Sequence, residues 1–117
     1  MKNLRLLLFI IFTFTTLFLG SCKKNDNSVS GVITYVGAVS GIEYKASGAV
    51  VYLMVNNTDY IEKTTTDADG AYVFYPVDDG EYHIEAEVTV NLIDYDGKSS
   101  NFTILGDDDE TIDLILY

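Results

Sequence analysis

The chain is unevenly supplied with side chains that do chemistry: eighteen aspartates and glutamates, one histidine and one cysteine among 117 residues. A site of several imidazoles or a CxxC thiolate pair is therefore impossible. His83 is the sole imidazole that could act as a general base. It alternates with Tyr82 and Ile84, which claim the core face of a strand, so its expected place is the outer face. No Gly-x-Ser-x-Gly nucleophile elbow accompanies it. Paired carboxylates that hydrolyse glycosidic bonds need a cleft between them, which a lone small sandwich is not expected to offer. The expectation is a protein without catalytic residues and without a cofactor.

The carboxylates also suggest calcium. Asp67-x-Asp69-Gly70 sets oxygen ligands at alternate positions before a glycine, as a calcium loop begins. Tyr72 and Phe74 occupy the downstream ligand positions, so a hairpin turn is the simpler reading. Asp107-Asp108-Asp109-Glu110 could bind Ca²⁺ if folding brings other oxygens near; otherwise it is a solvated acidic turn, as is Asp94-Tyr95-Asp96-Gly97. The calcium candidates are Asp67, Asp69, Asp107, Asp108 and Asp109.

The lone cysteine is explained by what precedes it. Residues 1–21 have the three parts of an export signal: a basic start with Lys2 and Arg5, an uncharged run from Leu6 to Leu19, and small residues at Gly20 and Ser21. The uncharged stretch is short of the ~20 residues a transmembrane helix needs. Leu19-Gly20-Ser21-Cys22 resembles the lipobox of bacterial lipoproteins. That resemblance implies cleavage before Cys22 and lipidation of its thiol and new amino terminus. Several acyl chains suffice for stable anchoring. Cys22 followed by Lys and Asp is similar to lipoproteins of the Bacteroidetes, in which charged residues after the cysteine can direct surface display. The expected location is the outer membrane, on its periplasmic side or at the cell surface. Residues 22–30 are polar and turn-prone and read as the lipidated cysteine and a tether.

From Cys22 onward five bases stand against eighteen acids, a net charge of −13. Nucleic acid is excluded as a partner, because its affinity rests on Lys and Arg at phosphates. A polybasic membrane surface is excluded likewise.

Residues 31–117 must position whatever site exists, and their pattern is β throughout. Val, Ile, Thr and Tyr dominate, and turn signals recur every 8–12 residues. Strands are expected over 31–39, 49–55, 60–66, 71–77, 81–92, 102–105 and 111–117. Seven short strands predict a two-sheet sandwich. Tyr82, Ile84, Ala86 and Val88 alternate with His83, Glu85 and Glu87, so one face is apolar and the other polar. Phe74 and Tyr82 are expected in the core on paired neighbouring strands.

Thr66-Asp67-Ala68-Asp69-Gly70-Ala71-Tyr72-Val73-Phe74, then Val77, Gly80 and Tyr82, is similar to the carboxypeptidase regulatory-like domains. Gly48-Ala49 with Val51 and Leu53, Gly31 with Ile33, and Ile112 to Leu116 resemble other strands of that family. The Cna-B repeats share the rhythm. The resemblance implies a seven-stranded, transthyretin-like (prealbumin-like) sandwich and carries no active site. An isopeptide crosslink of the Cna-B kind is not expected, since the first strand has no Lys and Asp113 points outward.

If Val51, Leu53, Tyr72 and Phe74 face the core, then Tyr52, Met54, Val73 and Tyr75 face out. Tyrosine joins apolar area to a polar tip and suits interfaces and sugar platforms, so these four residues are the candidate binding patch. The functional expectation is a lipid-anchored, non-enzymatic envelope module, structural or binding, with a glycan or envelope protein as possible partner. The alternatives are a carbohydrate-binding accessory lipoprotein of a polysaccharide-uptake system and a Ca²⁺-dependent adhesion module.

Overall fold

The computed structural model describes residues 26–117. The export signal, the lipidation candidate Cys22 and the start of the tether lie outside the described residues. Those described form strands and no helix: β1 (Asn27–Val36), β2 (Glu43–Lys45), β3 (Val50–Met54), β4 (Tyr60–Thr65), β5 (Ala71–Val77), β6 (Gly80–Val90), β7 (Ile93–Lys98), β8 (Phe102–Ile104), β9 (Glu110–Thr111) and β10 (Leu114–Leu116).

Two long strands organise two sheets. The first half of β1 pairs with antiparallel β5 and parallel β9, and its second half with antiparallel β2 and parallel β10. In the other sheet β3 lies between β4 and β6, while β6 takes β8 along its start and β7 along its end. Tyr117, just beyond β10, exchanges both backbone hydrogen bonds with Asp96 of β7, each 3.1 Å, which ties the two sheets at one corner. The inward side chains meet in one core: Val29, Ile33, Tyr72, Phe74, Val77 and Leu116 from the first sheet face Val51, Leu53, Tyr82, Ile84, Ala86, Val88, Tyr95 and Ile104 from the second.

The all-β sandwich matches the expectation, with ten strands in place of seven. The seven expected strands are present, the last of them divided into β9 and β10. Three expectations, one boundary, one turn and one pairing, differ for physical reasons. β1 begins at Asn27, so Asn27–Ser30 belongs to the sandwich and not to the tether. Only Val29 among these is apolar; it is fully buried opposite Phe74, too brief an alternation to announce a strand. Asp94–Gly97, expected as an acidic turn, lies within β7 because β6 offers it a full ladder and Tyr95 turns into the core. Phe74 and Tyr82 are both buried, but β5 and β6 belong to opposite sheets, so they are not neighbours on paired strands.

The segment from Thr66 to Phe74 shows why its residue types recur together. The buried Thr66 hydroxyl donates to the Ala46 carbonyl at 2.5 Å and accepts from the Ala49 N–H at 2.8 Å. Asp67 Oδ1 accepts from the Asp69 and Ala71 N–H groups, both at 2.9 Å, closing a turn on its own side chain. Gly70 has φ +76°, its carbonyl accepts from Ile33 N at 2.8 Å, and a Cβ there would strike the Ile33 carbonyl oxygen. Tyr72 then donates to the Ile112 carbonyl at 2.7 Å, and Phe74 fills the core.

Candidate functional site

Because β1 runs from Asn27 to Val36, it gives the sandwich two ends, and they differ in chemistry. At the Asn27 end the acidic loops serve the fold. Asp79 Oδ1 accepts from Asn27 Nδ2 at 3.3 Å and from Gly106 N at 3.1 Å. Asp109 Oδ1 accepts from both the backbone N–H and the hydroxyl of Ser28 at 3.0 Å. Among the described residues, no group of three or more His, Cys, Asp or Glu side chains is placed to hold a metal ion. The Asp67 carboxylate is likewise engaged by its own turn, as described above. The calcium candidates thus sit at separate turns, with Asp67 and Asp109 capping backbone groups.

At the Val36 end, the loop after β1 and the tight turn between β6 and β7 enclose a cleft of ≈ 390 Å³. Tyr35 of β1, Tyr44 of β2 and Tyr95 of β7 line it, together with Val39, Ser40, Val90, Asn91 and Ile93. The rings form a stack. Tyr35 lies 5.4 Å from Tyr44 at 30° and 4.9 Å from Tyr95 at 45°, the offset separations aromatic pairs favour. Tyr95 is buried and its hydroxyl accepts from Ala38 N at 3.1 Å, which fixes the loop above it. Tyr44 is the exposed member, its hydroxyl 3.4 Å from Ser40 Oγ.

The rim is apolar and partly strained. Val39 is 95% exposed and Leu92 98% exposed, with Ile42 and Ile93 beside them in sequence. Asn91 and Leu92 have φ of 50° and 67°, the left-handed pair that a two-residue hairpin turn demands. Asn tolerates that region; Leu there costs roughly 1–2 kcal/mol.

The expected patch is not one surface. Tyr52 and Met54 lie on β3 and Val73 and Tyr75 on β5, in opposite sheets, so alternation places the two pairs on opposite outer faces. Met54 is only 7% exposed. Tyr52 donates to Glu87 at 3.0 Å and meets the Tyr60 ring edge-on at 5.2 Å. That hydrogen bond is the main cause raising the Tyr52 phenol above its ordinary range. Val73 and Tyr75 are exposed on the other face. His83, expected in solvent, is 7% exposed, with its Nε2 2.9 Å from Glu85 and the Val55–Asn57 loop beside it. Asp113 does point outward, where its carboxylate accepts from Val32 N at 2.8 Å in the break between β9 and β10.

Tyr35, Tyr44 and Tyr95 were not legible as a site. They come from three strands, of which the sequence predicts only the first: Tyr35 falls on an expected strand, Tyr44 in a connection and Tyr95 in an expected acidic turn. The one local signal was Asn91-Leu92, a turn pair with an apolar residue where glycine is usual.

No family model matches the chain, and no curated protein matches it significantly. Among solved structures it resembles a proposed carbohydrate-binding protein of Pseudomonas aeruginosa, with TM-score 0.59 and 17% identity over 79% of this chain and 89% of that one. At that identity the likeness is one of fold.

Proposed function

We propose that the chain is a non-enzymatic binding module of the cell envelope, lipidated at Cys22, that presents the tyrosine cleft to a saccharide. The observation that carries this reading is the tyrosine stack at the end of the sandwich opposite Asn27, with Tyr44 exposed at its outer side. Only four residues separate Cys22 from Asn27, so the Asn27 end would face the membrane. The cleft would stand off by the length of β1, about 30 Å for ten residues at ~3.3 Å each. A site at that end is reachable by an extended polymer.

Other features agree. The strand pattern and the Thr66–Phe74 motif support a carboxypeptidase regulatory-like sandwich, a scaffold without chemistry of its own. The one imidazole is buried, paired with Glu85, and far along β6 from the cleft. The fold likeness to a proposed carbohydrate-binding protein favours a glycan over a purely structural role.

Two measurements test this. A fatty-acid analogue fed to cells should label the wild type and leave Cys22→Ser unlabelled; equal labelling would remove the anchor. A glycan array probed with the detergent-purified chain should give binding that Tyr44→Ala abolishes. Binding indifferent to Tyr44 would move the site elsewhere.

A further inference from the structure

We infer that the tyrosine cleft selects an uncharged saccharide, stacked on the open face of Tyr44. The inference rests on the reading of the cleft as the binding surface and narrows its ligand.

The lining contains no aspartate, glutamate, lysine or arginine, in a domain where charge is otherwise abundant. Residues 26–117 hold three lysines, no arginine and eighteen acids, a net charge of −15. A uronate, sulfate or phosphate on the ligand would meet that negative field with no guanidinium or ammonium in the cleft to pair with.

The negative field would favour a cation, but the rings are not arranged to cage one. A cage needs aromatic faces turned toward a shared empty volume. Here Tyr35 packs against both Tyr44 and Tyr95, at 5.4 and 4.9 Å, so the rings fill the space between them. Tyr44 is the exposed ring of the three, 42% in solvent, and is the one ring left to meet the C–H face of a sugar.

Neutral hydrogen-bonding residues line the same cleft. The Tyr35 hydroxyl and the Asn91 side-chain amide make no hydrogen bond among the described residues. Both can donate and accept, as sugar hydroxyls do.

Isothermal titration of the detergent-purified full chain tests this with defined oligosaccharides. The neutral probes are hexamers of glucose in α and β linkage, of mannose and of xylose. The charged probes are hexamers of galacturonate and of glucosamine. At least one neutral hexamer should bind, with affinity constant within about twofold between ~50 and ~500 mM salt, since screening acts only on charge. Tyr44→Ala should weaken that binding about tenfold or more, the loss expected for one aromatic contact with its buried area. Asn91→Gly, which removes the amide and suits the positive φ of that exposed turn, should weaken it less and leave folding intact. Preference for either charged hexamer, or no binding by any neutral one, overturns the inference. Charged-hexamer binding lost in Tyr44→Ala would retain the site and refute the ligand class. Saccharide binding that survives Tyr44→Ala would refute the site itself.

Discussion

The segment from Thr66 to Phe74 and the rim made by residues 37–44 and 90–95 treat polarity and strain in opposite ways. In the first, the Thr66 hydroxyl, the Asp67 carboxylate and the Tyr72 phenol each satisfy backbone groups, and the positive φ falls on a glycine. In the second, Tyr95 and Ser40 also accept from backbone N–H groups, but the Asn91 amide is unpartnered among the described residues, a positive φ falls on Leu92 as well as on Gly41 and Asn91, and Val39 and Leu92 are almost wholly in solvent. A region shaped by folding alone has little reason to keep a strained, exposed Leu. The turn between β6 and β7 demands the positive φ, but not that a leucine occupy it. The comparison therefore separates residues that hold the sandwich from residues that the proposed saccharide site would use.

The largest test of this division is Phe74→Ala. Truncating a buried aromatic costs about 3–5 kcal/mol, a large part of the ~5–15 kcal/mol that a domain has, so the variant should unfold or melt far earlier. A loss under about 1 kcal/mol would show that the side chain is not in the core.

Thr66→Val keeps the shape of the side chain but leaves the Ala46 carbonyl and the Ala49 N–H without their hydroxyl partner. At ~1–3 kcal/mol for each buried group left unpaired, chemical denaturation should show a loss of about 2–4 kcal/mol. A neutral effect would mean that water replaces the hydroxyl and that the segment is less closed than its geometry implies.

Tyr72 gives a smaller, pH-dependent effect. Burial, aided by the Asp113 charge, raises its phenol above the ordinary value of 10.0. A group whose folded value is raised contributes stability that is complete below the unfolded value and is lost as pH climbs toward the folded one. Stability should therefore fall above about pH 10. Tyr72→Phe should make that fall shallower while costing about 1 kcal/mol at neutral pH for the bond to Ile112. Tyr52 and Tyr82 are also raised, so some decline should persist. An unchanged alkaline slope in Tyr72→Phe would contradict the burial of this phenol.

The smallest effect has the opposite sign. Leu92→Gly relieves strain of roughly 1–2 kcal/mol and adds about 0.4–1 kcal/mol of unfolded-chain entropy. The melting temperature should rise slightly or hold, while saccharide affinity stays level or falls. Clear destabilisation would show that Leu92 serves the fold after all and would erase the contrast between the two regions.

Alternation was enough to read, from residues alone, that Tyr72, Phe74, Tyr82, Ile84, Ala86 and Val88 face inward, because side chains of a strand point to opposite faces with a period of two. The turn from Asp67 to Gly70 was legible because the Asp67 carboxylate bonds only Asp69 and Ala71 and a glycine marks the positive φ, whereas the bonds of the Thr66 hydroxyl to Ala46 and Ala49 were not. Alternation states only in or out. It does not say which sheet a strand joins, so Tyr52 and Tyr75, both outward, appeared to share a patch that the topology divides between two faces. Nor does it say which strand ends converge. Tyr35, Tyr44 and Tyr95 meet only because β1 changes partners along its length, bringing β2 beside it, while the sheet bearing β7 packs across. Contacts between residues 60 apart in sequence are set by the packing of whole sheets, and no local pattern carries that information.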